Sequence, residues 1–185
     1  MGPLNGGAPW PPGFDKERRR EGEWLSYVRS VYRLLPGRAA TLNAASDILV
    51  GSRFTMSELP RDHAHKTIYL PENGIDTERF NLRAMPGTHK DRLRGCFVGR
   101  MVPYKGPDML IEAAAPLLKA GKLHLTMIGD GPLLPELKRT VADLGLSEAV
   151  EFCGWLKHQQ VQDVMAACDL LTFPSIREFG GGVVF

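Results

Sequence analysis

Cysteine is scarce in this 185-residue chain: Cys96, Cys153 and Cys168 are the whole supply. They form no Cys-x-x-Cys pair and are odd in number, which argues against a disulfide framework and against a metal or redox motif. Each sits among apolar residues, so the expectation is buried free thiols in a reducing compartment. Net charge is equally small. Lys and Arg number 23 and Asp and Glu 21, a formal charge of +2, too little for a nucleic-acid surface. No apolar run approaches the roughly 18 residues that cross a bilayer. The opening residues, MGPLNGGAPWPPGF, lack the basic start and apolar core of a secretory leader. No Asp-x-Asp pair is present to hold a divalent ion against a diphosphate. No Gly-x4-Gly-Lys-Ser/Thr phosphate loop occurs, and Gly129-Asp-Gly-Pro lacks the third glycine of a dinucleotide fingerprint. The histidines (His63, His65, His89, His124 and His158) are scattered, with none placed to activate a nucleophile. Surface or packing roles are expected for them.

What is present suits a globular core: 43% of residues are hydrophobic and 24% charged. Residues 2–15 mix Gly and Pro and read as loop. Lys16 to Arg20, interrupted by acids, reads as a solvated helix start. Apolar residues from Trp24 to Leu35 recur at helical spacing, with a stop near Pro36-Gly37. A second helix is predicted over 38–45 and a short one over 55–59. Residues 47–52 and 66–70 read as strands, the first as a buried parallel strand. Residues 71–74 form a turn.

From Arg94 onward strand and helix alternate. Strands are predicted over 95–99, 123–128, 150–152 and 170–173. Helices are predicted over 108–120, 133–144 and 158–167. The inward faces are Met109, Leu110, Ala113, Ala114, Leu117 and Leu118 in the first; Leu133, Leu134, Leu137, Val141 and Leu144 in the second; and Val161, Val164 and Met165 in the third. Gly145 stops the second helix. Such alternation with short loops implies right-handed crossovers and a Rossmann-like parallel α/β sheet with helices on both faces. Two domains are expected: a partial one over 1–80 and a second over 81–185. No covering helix follows the last strand, and the two early strands lack neighbours. The expectation is a truncated chain that self-associates through apolar surface exposed at both ends.

In an open parallel sheet, ligands bind beyond the carboxyl ends of the strands. Four loops meet there: Gly99–Gly106 with Arg100 and Lys105, Gly129-Asp-Gly131, Cys153-Gly-Trp155, and Pro174–Gly182. Glycines let the backbone approach a ligand. Gly180, Gly181 and Gly182 would open a following helix and turn amides toward an anion. Arg100 and Lys105 would add two cations, making a diphosphate cradle without a metal. Glu178, a loop glutamate, reads by itself as a surface carboxylate; just before an anion site an acid works against binding unless its task is a sugar hydroxyl. Trp155 reads equally as a core aromatic or as a wall beside a base.

Gly99-Arg-Met-Val-Pro-Tyr-Lys-Gly106, Ile128-Gly-Asp-Gly-Pro132, Val150-Glu-Phe-Cys-Gly154 and Pro174-Ser-Ile-Arg-Glu-Phe-Gly-Gly-Gly182 resemble, in order, the donor-site loops of group 1 glycosyltransferases (glycosyltransferase family 4, GT-B fold). Leu70-Pro-Glu-Asn-Gly-Ile-Asp76 with Phe80 resembles the family's interdomain segment. The preceding part resembles the latter half of an acceptor domain. The resemblance implies sugar transfer from a nucleoside-diphosphate sugar to a glycan, lipid or small-molecule acceptor, with retention, without a metal and with no further cofactor. It puts Arg100 and Lys105 on the diphosphate and Glu178, first glutamate of an E-x7-E motif, at the donor sugar as the catalytic-site residue. Gly181 and neighbouring amides contact sugar or phosphate, and Gly129, Gly154 and Trp155 lie beside the base. Position 186 would hold the second glutamate, so the chain alone is expected not to turn over. The full-length enzyme is expected to be cytoplasmic, with peripheral membrane contact. The competing expectation is a non-catalytic nucleotide-binding or interaction module.

Overall fold

The computed structural model describes residues 9–22, 36–71, 73, 74, 76, 78, 81, 82 and 91–178. They fall into two compact units. One takes the described residues up to Gly74 together with Arg177 and Glu178; the other takes those from Asp76 to Ile176.

In the first unit, α1 (Asp15–Arg20) carries Asp15 and Glu17 in its first turn and Arg18, Arg19 and Arg20 in its last. That order complements the helix dipole. The helix predicted over Trp24 to Leu35 lies outside the described residues. Pro36 and Gly37 lie in the first turn of α2 (Pro36–Ala44). Proline is at home there, since its missing N–H would have had no partner anyway. β1 (Ile48–Val50) pairs in parallel with β2 (Thr67–Tyr69), Leu49 opposite Ile68. Between them, Ser52 caps α3 (Arg53–Ser57) by accepting the Thr55 N–H at 3.0 Å. This helix starts two residues before the predicted one because the cap is Ser52. A 3-10 turn over Arg61–Lys66 leads into β2. Its last residue, Lys66, donates to the carbonyls of Asn43 (3.1 Å) and Ala45 (2.8 Å). One ammonium thereby satisfies carbonyls left open where α2 ends. The buried-strand reading of 47–52 holds only for Val50: Leu49 is 64% exposed and Ile68 48%. Among the described residues this sheet has two strands, which cannot cover their own faces.

The second unit is an α/β layer structure. Its elements are β3 (Leu93–Val98), α4 (Pro107–Lys119), β4 (Leu123–Ile128), α5 (Leu134–Asp143), β5 (Val150–Gly154), α6 (His158–Ala166) and β6 (Leu170–Leu171). All four strands are parallel, in the order β5-β4-β3-β6. α4 packs on β4 and α5, whereas α6 packs on β3. Right-handed crossovers that step outward twice and then return past β3 put α4 and α5 on one face and α6 on the other. The core joins Phe97, Leu125 and Met127 of the sheet to Ile111, Leu118, Leu137 and Val141 of the helices, all buried.

The α4 face departs from the predicted one. Ile111, Ala114 and Leu118 are buried, while Ala113 and Leu117 face solvent. Positions 107, 111, 114 and 118 follow the i, i+4, i+7, i+11 stripe of an α-helix, which residues 113 and 117 miss. The α5 face is as expected, with Leu137 and Val141 buried. It ends with the Gly145 N–H on the Ala142 carbonyl (2.9 Å) and the Leu146 N–H on that of Val141 (2.8 Å). β6 is joined to β3 by a reciprocal clamp. The Asp169 N–H donates to the Arg94 carbonyl at 2.7 Å, and the Arg94 N–H donates to the Asp169 carboxylate at 2.7 Å.

Candidate functional site

The strand order creates one special position. From β3 the chain steps to β4 and β5 on one side, then returns to place β6 on the other. The carboxyl ends of β3 and β6 therefore lie side by side at the switch point of the sheet, the crevice where such sheets bind ligands.

Backbone contacts draw the four carboxyl-end loops into one rim. The Gly129 N–H donates to the Gly154 carbonyl (2.8 Å), linking the loops after β4 and β5. The Met101 N–H donates to the Asp130 carbonyl (2.9 Å), linking those after β3 and β4. The Ile176 N–H donates to the Tyr104 carbonyl (2.8 Å), linking those after β3 and β6. Two glycines make this approach possible. Gly129 has φ +128°, and a Cβ there would collide with the Gly99 carbonyl. Gly106 has φ +64°, and its Cβ would lie 2.6 Å from the Pro174 carbonyl. An L side chain is strained at both and has no room at either.

Arg100 lies just after β3 and is exposed. Lys105 closes the 3-10 turn Pro103–Lys105 and is half-buried. Its ammonium lies 5.6 Å from the centre of the Tyr104 ring and 5.8 Å from that of Phe173. Since Phe173 follows β6, Lys105 is held at the β3–β6 crevice. Trp155 is 83% exposed beyond β5, which removes the core reading. Glu178 belongs to the first unit and is half-buried. Beside it Arg177 is buried, 7% exposed, with its guanidinium 4.9 Å from the centre of the Trp10 ring. Gly180, Gly181 and Gly182 lie outside the described residues, as does Phe80. Tyr104, Phe173, Trp10 and Arg177 were not singled out from sequence. The available signal was aromatic residues beside the loop cation and beside Pro174.

The thiols are not all alike. Cys96 and Cys168 are buried, but Cys153 is only half-buried, correcting the uniform expectation. Cys153 is the penultimate residue of β5. Its thiol is pushed above the usual range by partial burial and by Glu151. Cys96 is raised much further by its hydrogen bond with Cys168, then by burial. Neither of these two thiols is a ready nucleophile on that footing; the same hydrogen bond shifts Cys168 the other way, below its ordinary value. Among the described residues no group of His, Cys, Asp and Glu is arranged to hold a metal ion, and no helix is long and apolar enough to cross a membrane.

A parallel sheet whose strand order reverses between β3 and β6, with helices on both faces, defines the doubly wound class of α/β domain. The particular family follows from comparison. The family model for group 1 glycosyl transferases matches residues 92–185, just over half of the chain, and the chain belongs to that family. It is 32% identical to alpha-D-kanosaminyltransferase of Streptomyces kanamyceticus over 134 residues, covering 69% of this chain and 34% of that protein. It is 38% identical to D-inositol 3-phosphate glycosyltransferase of Gordonia bronchialis over 164 residues, covering 78% of this chain and 36% of that one. The chain thus spans about a third of these relatives' length. The fold is also that of Anabaena HepE, crystallised with UDP and glucose: TM-score 0.59 at 24% identity, over 80% of this chain and 43% of that one.

Proposed function

We propose that this chain is the donor-binding part, with a portion of the acceptor side, of an enzyme that transfers a sugar from a nucleoside-diphosphate sugar to an acceptor. The observation that carries the reading is Lys105 held at the β3–β6 crevice on the loop that also bears Arg100. Transfer breaks the bond between the anomeric carbon and the diphosphate oxygen, and negative charge grows on the departing diphosphate. Fixed cations aimed at that charge lower the barrier. Arg100 offers planar, bidentate hydrogen bonds to phosphate, and Lys105 a compact point charge. Amides of Gly180, Gly181 and Gly182 complete the cradle. Glu178 hydrogen-bonds the donor sugar. Gly129 and Gly154 shape the floor under the base, with Trp155 as its aromatic wall. The UDP bound to HepE supports a nucleotide at this kind of fold, and the curated relatives' names support glycosyl transfer.

We assign the boundary between acceptor-side and donor-side parts near residue 80. The reaction retains anomeric configuration and runs without a metal, the two side chains supplying the charge. The enzyme works in the cytoplasm and touches the membrane surface. The exposed Leu49 and Ile68 face of the first unit supports self-association of the chain.

Calorimetric titration of the chain with UDP and with GDP tests the site. One of them binds, and Arg100→Ala weakens it by about tenfold or more, the loss of a charge-assisted hydrogen bond. Binding unchanged by that substitution rules the cradle out.

A further inference from the structure

Lys105 differs from Arg100 in one respect. Arg100 is exposed, whereas the Lys105 ammonium is within about 6 Å of two ring centres, the range in which a cation is drawn to an aromatic face. The rings come from different elements. Tyr104 is its neighbour in the 3-10 turn after β3, and Phe173 follows β6. The backbone fixes how these elements meet, through the Ile176 N–H on the Tyr104 carbonyl and through Gly106 against Pro174. A lysine side chain is otherwise among the most mobile, and ordering it costs rotamer entropy.

We propose that Tyr104 and Phe173 are positioning residues for donor binding: they hold the Lys105 ammonium at the mouth of the crevice before the diphosphate arrives. The inference rests on the diphosphate reading of this crevice. It adds that the donor meets one pre-set cation, Lys105, and one exposed cation, Arg100. Phe173 is the more informative partner, because it comes from the opposite side of the crevice. It therefore makes the position of the charge depend on the β3–β6 spacing. Pre-ordering a side chain in its bound position raises affinity by removing part of the ordering cost from the binding step.

The test is a double-mutant cycle on the whole chain, with UDP and GDP as probes in calorimetry. Phe173→Leu keeps an apolar group and removes the ring face. It should raise Kd about two- to fivefold, the value of one partly exposed cation–π contact, with the melting temperature little changed. Phe173→Tyr should restore wild-type affinity. In a Lys105→Ala background, Phe173→Leu should have no further effect. Tyr104→Leu should behave like Phe173→Leu, which provides a second reading if that variant folds poorly. Unchanged or tighter binding in both Leu variants overturns the proposal, since the rings would then be idle or would compete with the phosphate for the ammonium. An undiminished Phe173→Leu effect without Lys105 also overturns it, because Phe173 would then act directly on the ligand. If wild type binds neither UDP nor GDP, the diphosphate reading itself falls, and this proposal with it. Binding weakened by Lys105→Ala but untouched by both Leu variants leaves the diphosphate reading standing and removes only the aromatic positioning.

Discussion

β1 and β4 are both parallel strands rich in aliphatic residues, Ile-Leu-Val in one and Leu-His-Leu-Thr-Met-Ile in the other. Yet Leu49 is 64% exposed, while Leu125 is fully buried. The difference is in the neighbours. β4 has a strand on each side and helices to cover it; among the described residues, β1 has β2 alone. An aliphatic strand specifies a tendency to be covered, and only the surrounding layers meet it. The convergent loops follow the same divide: their rim belongs to the well-covered sheet.

The largest expected effect breaks the comparison at its core. Leu125→Ala should destabilise the second unit by about 2–5 kcal/mol, because the packed surroundings cannot collapse into the space. Leu49→Ala should change stability by less than about 0.5 kcal/mol, as surface substitutions do. Chemical denaturation of the two variants checks both, and equal losses would mean that β1 is covered as well as β4. Next in size is Gly129→Ala. Left-handed backbone alone costs about 1–2 kcal/mol, and the collision with the Gly99 carbonyl adds to it. The same denaturation series should therefore place this rim glycine nearer to Leu125 than to Leu49.

Lys66→Ala probes the weaker sheet. It removes the ammonium shared by the Asn43 and Ala45 carbonyls, and should cost about 1 kcal/mol. Hydrogen exchange should rise in α2 and β2 and stay unchanged in β3 and β4. The smallest effect is on pH dependence. His124 on β4 titrates below its ordinary value of 6.5, first because of burial and then because of Arg92, with Glu151 opposing. A depressed histidine resists protonation in the fold. Its contribution is therefore full above about pH 6.5 and shrinks as pH falls toward the folded value. His124→Gln should flatten the stability profile in that window, and a profile unchanged by the substitution would show that His124 is not the group responsible.

Much of the second unit was legible because its signals are local. Strand and helix alternate at short spacing, Gly145 stops a helix, and Leu137 and Val141 mark a face. The α4 face was misread at Ala113 and Leu117 because alanine and leucine occur all round that helix, so periodicity alone does not choose a stripe. The exposure of Trp155 was undecided in sequence, since an aromatic after a strand can turn either way. Arg100 and Lys105 were visible as loop cations. Nothing in the chain order pairs Lys105 with Phe173, which are brought together by a crossover that skips from β5 to the far side of β3. Trp10 and Arg177 are separated in the same way.

Sequence alone determined the class of layer structure, the order of its strands and helices, and which loops carry glycine and positive charge. These depend on residues within a turn or a strand of one another. Tertiary structure decided the strand order, and with it the crevice between β3 and β6, the ring faces around Lys105 and the nakedness of Leu49. Those depend on which distant segments lie side by side, and sequence spacing does not contain that information.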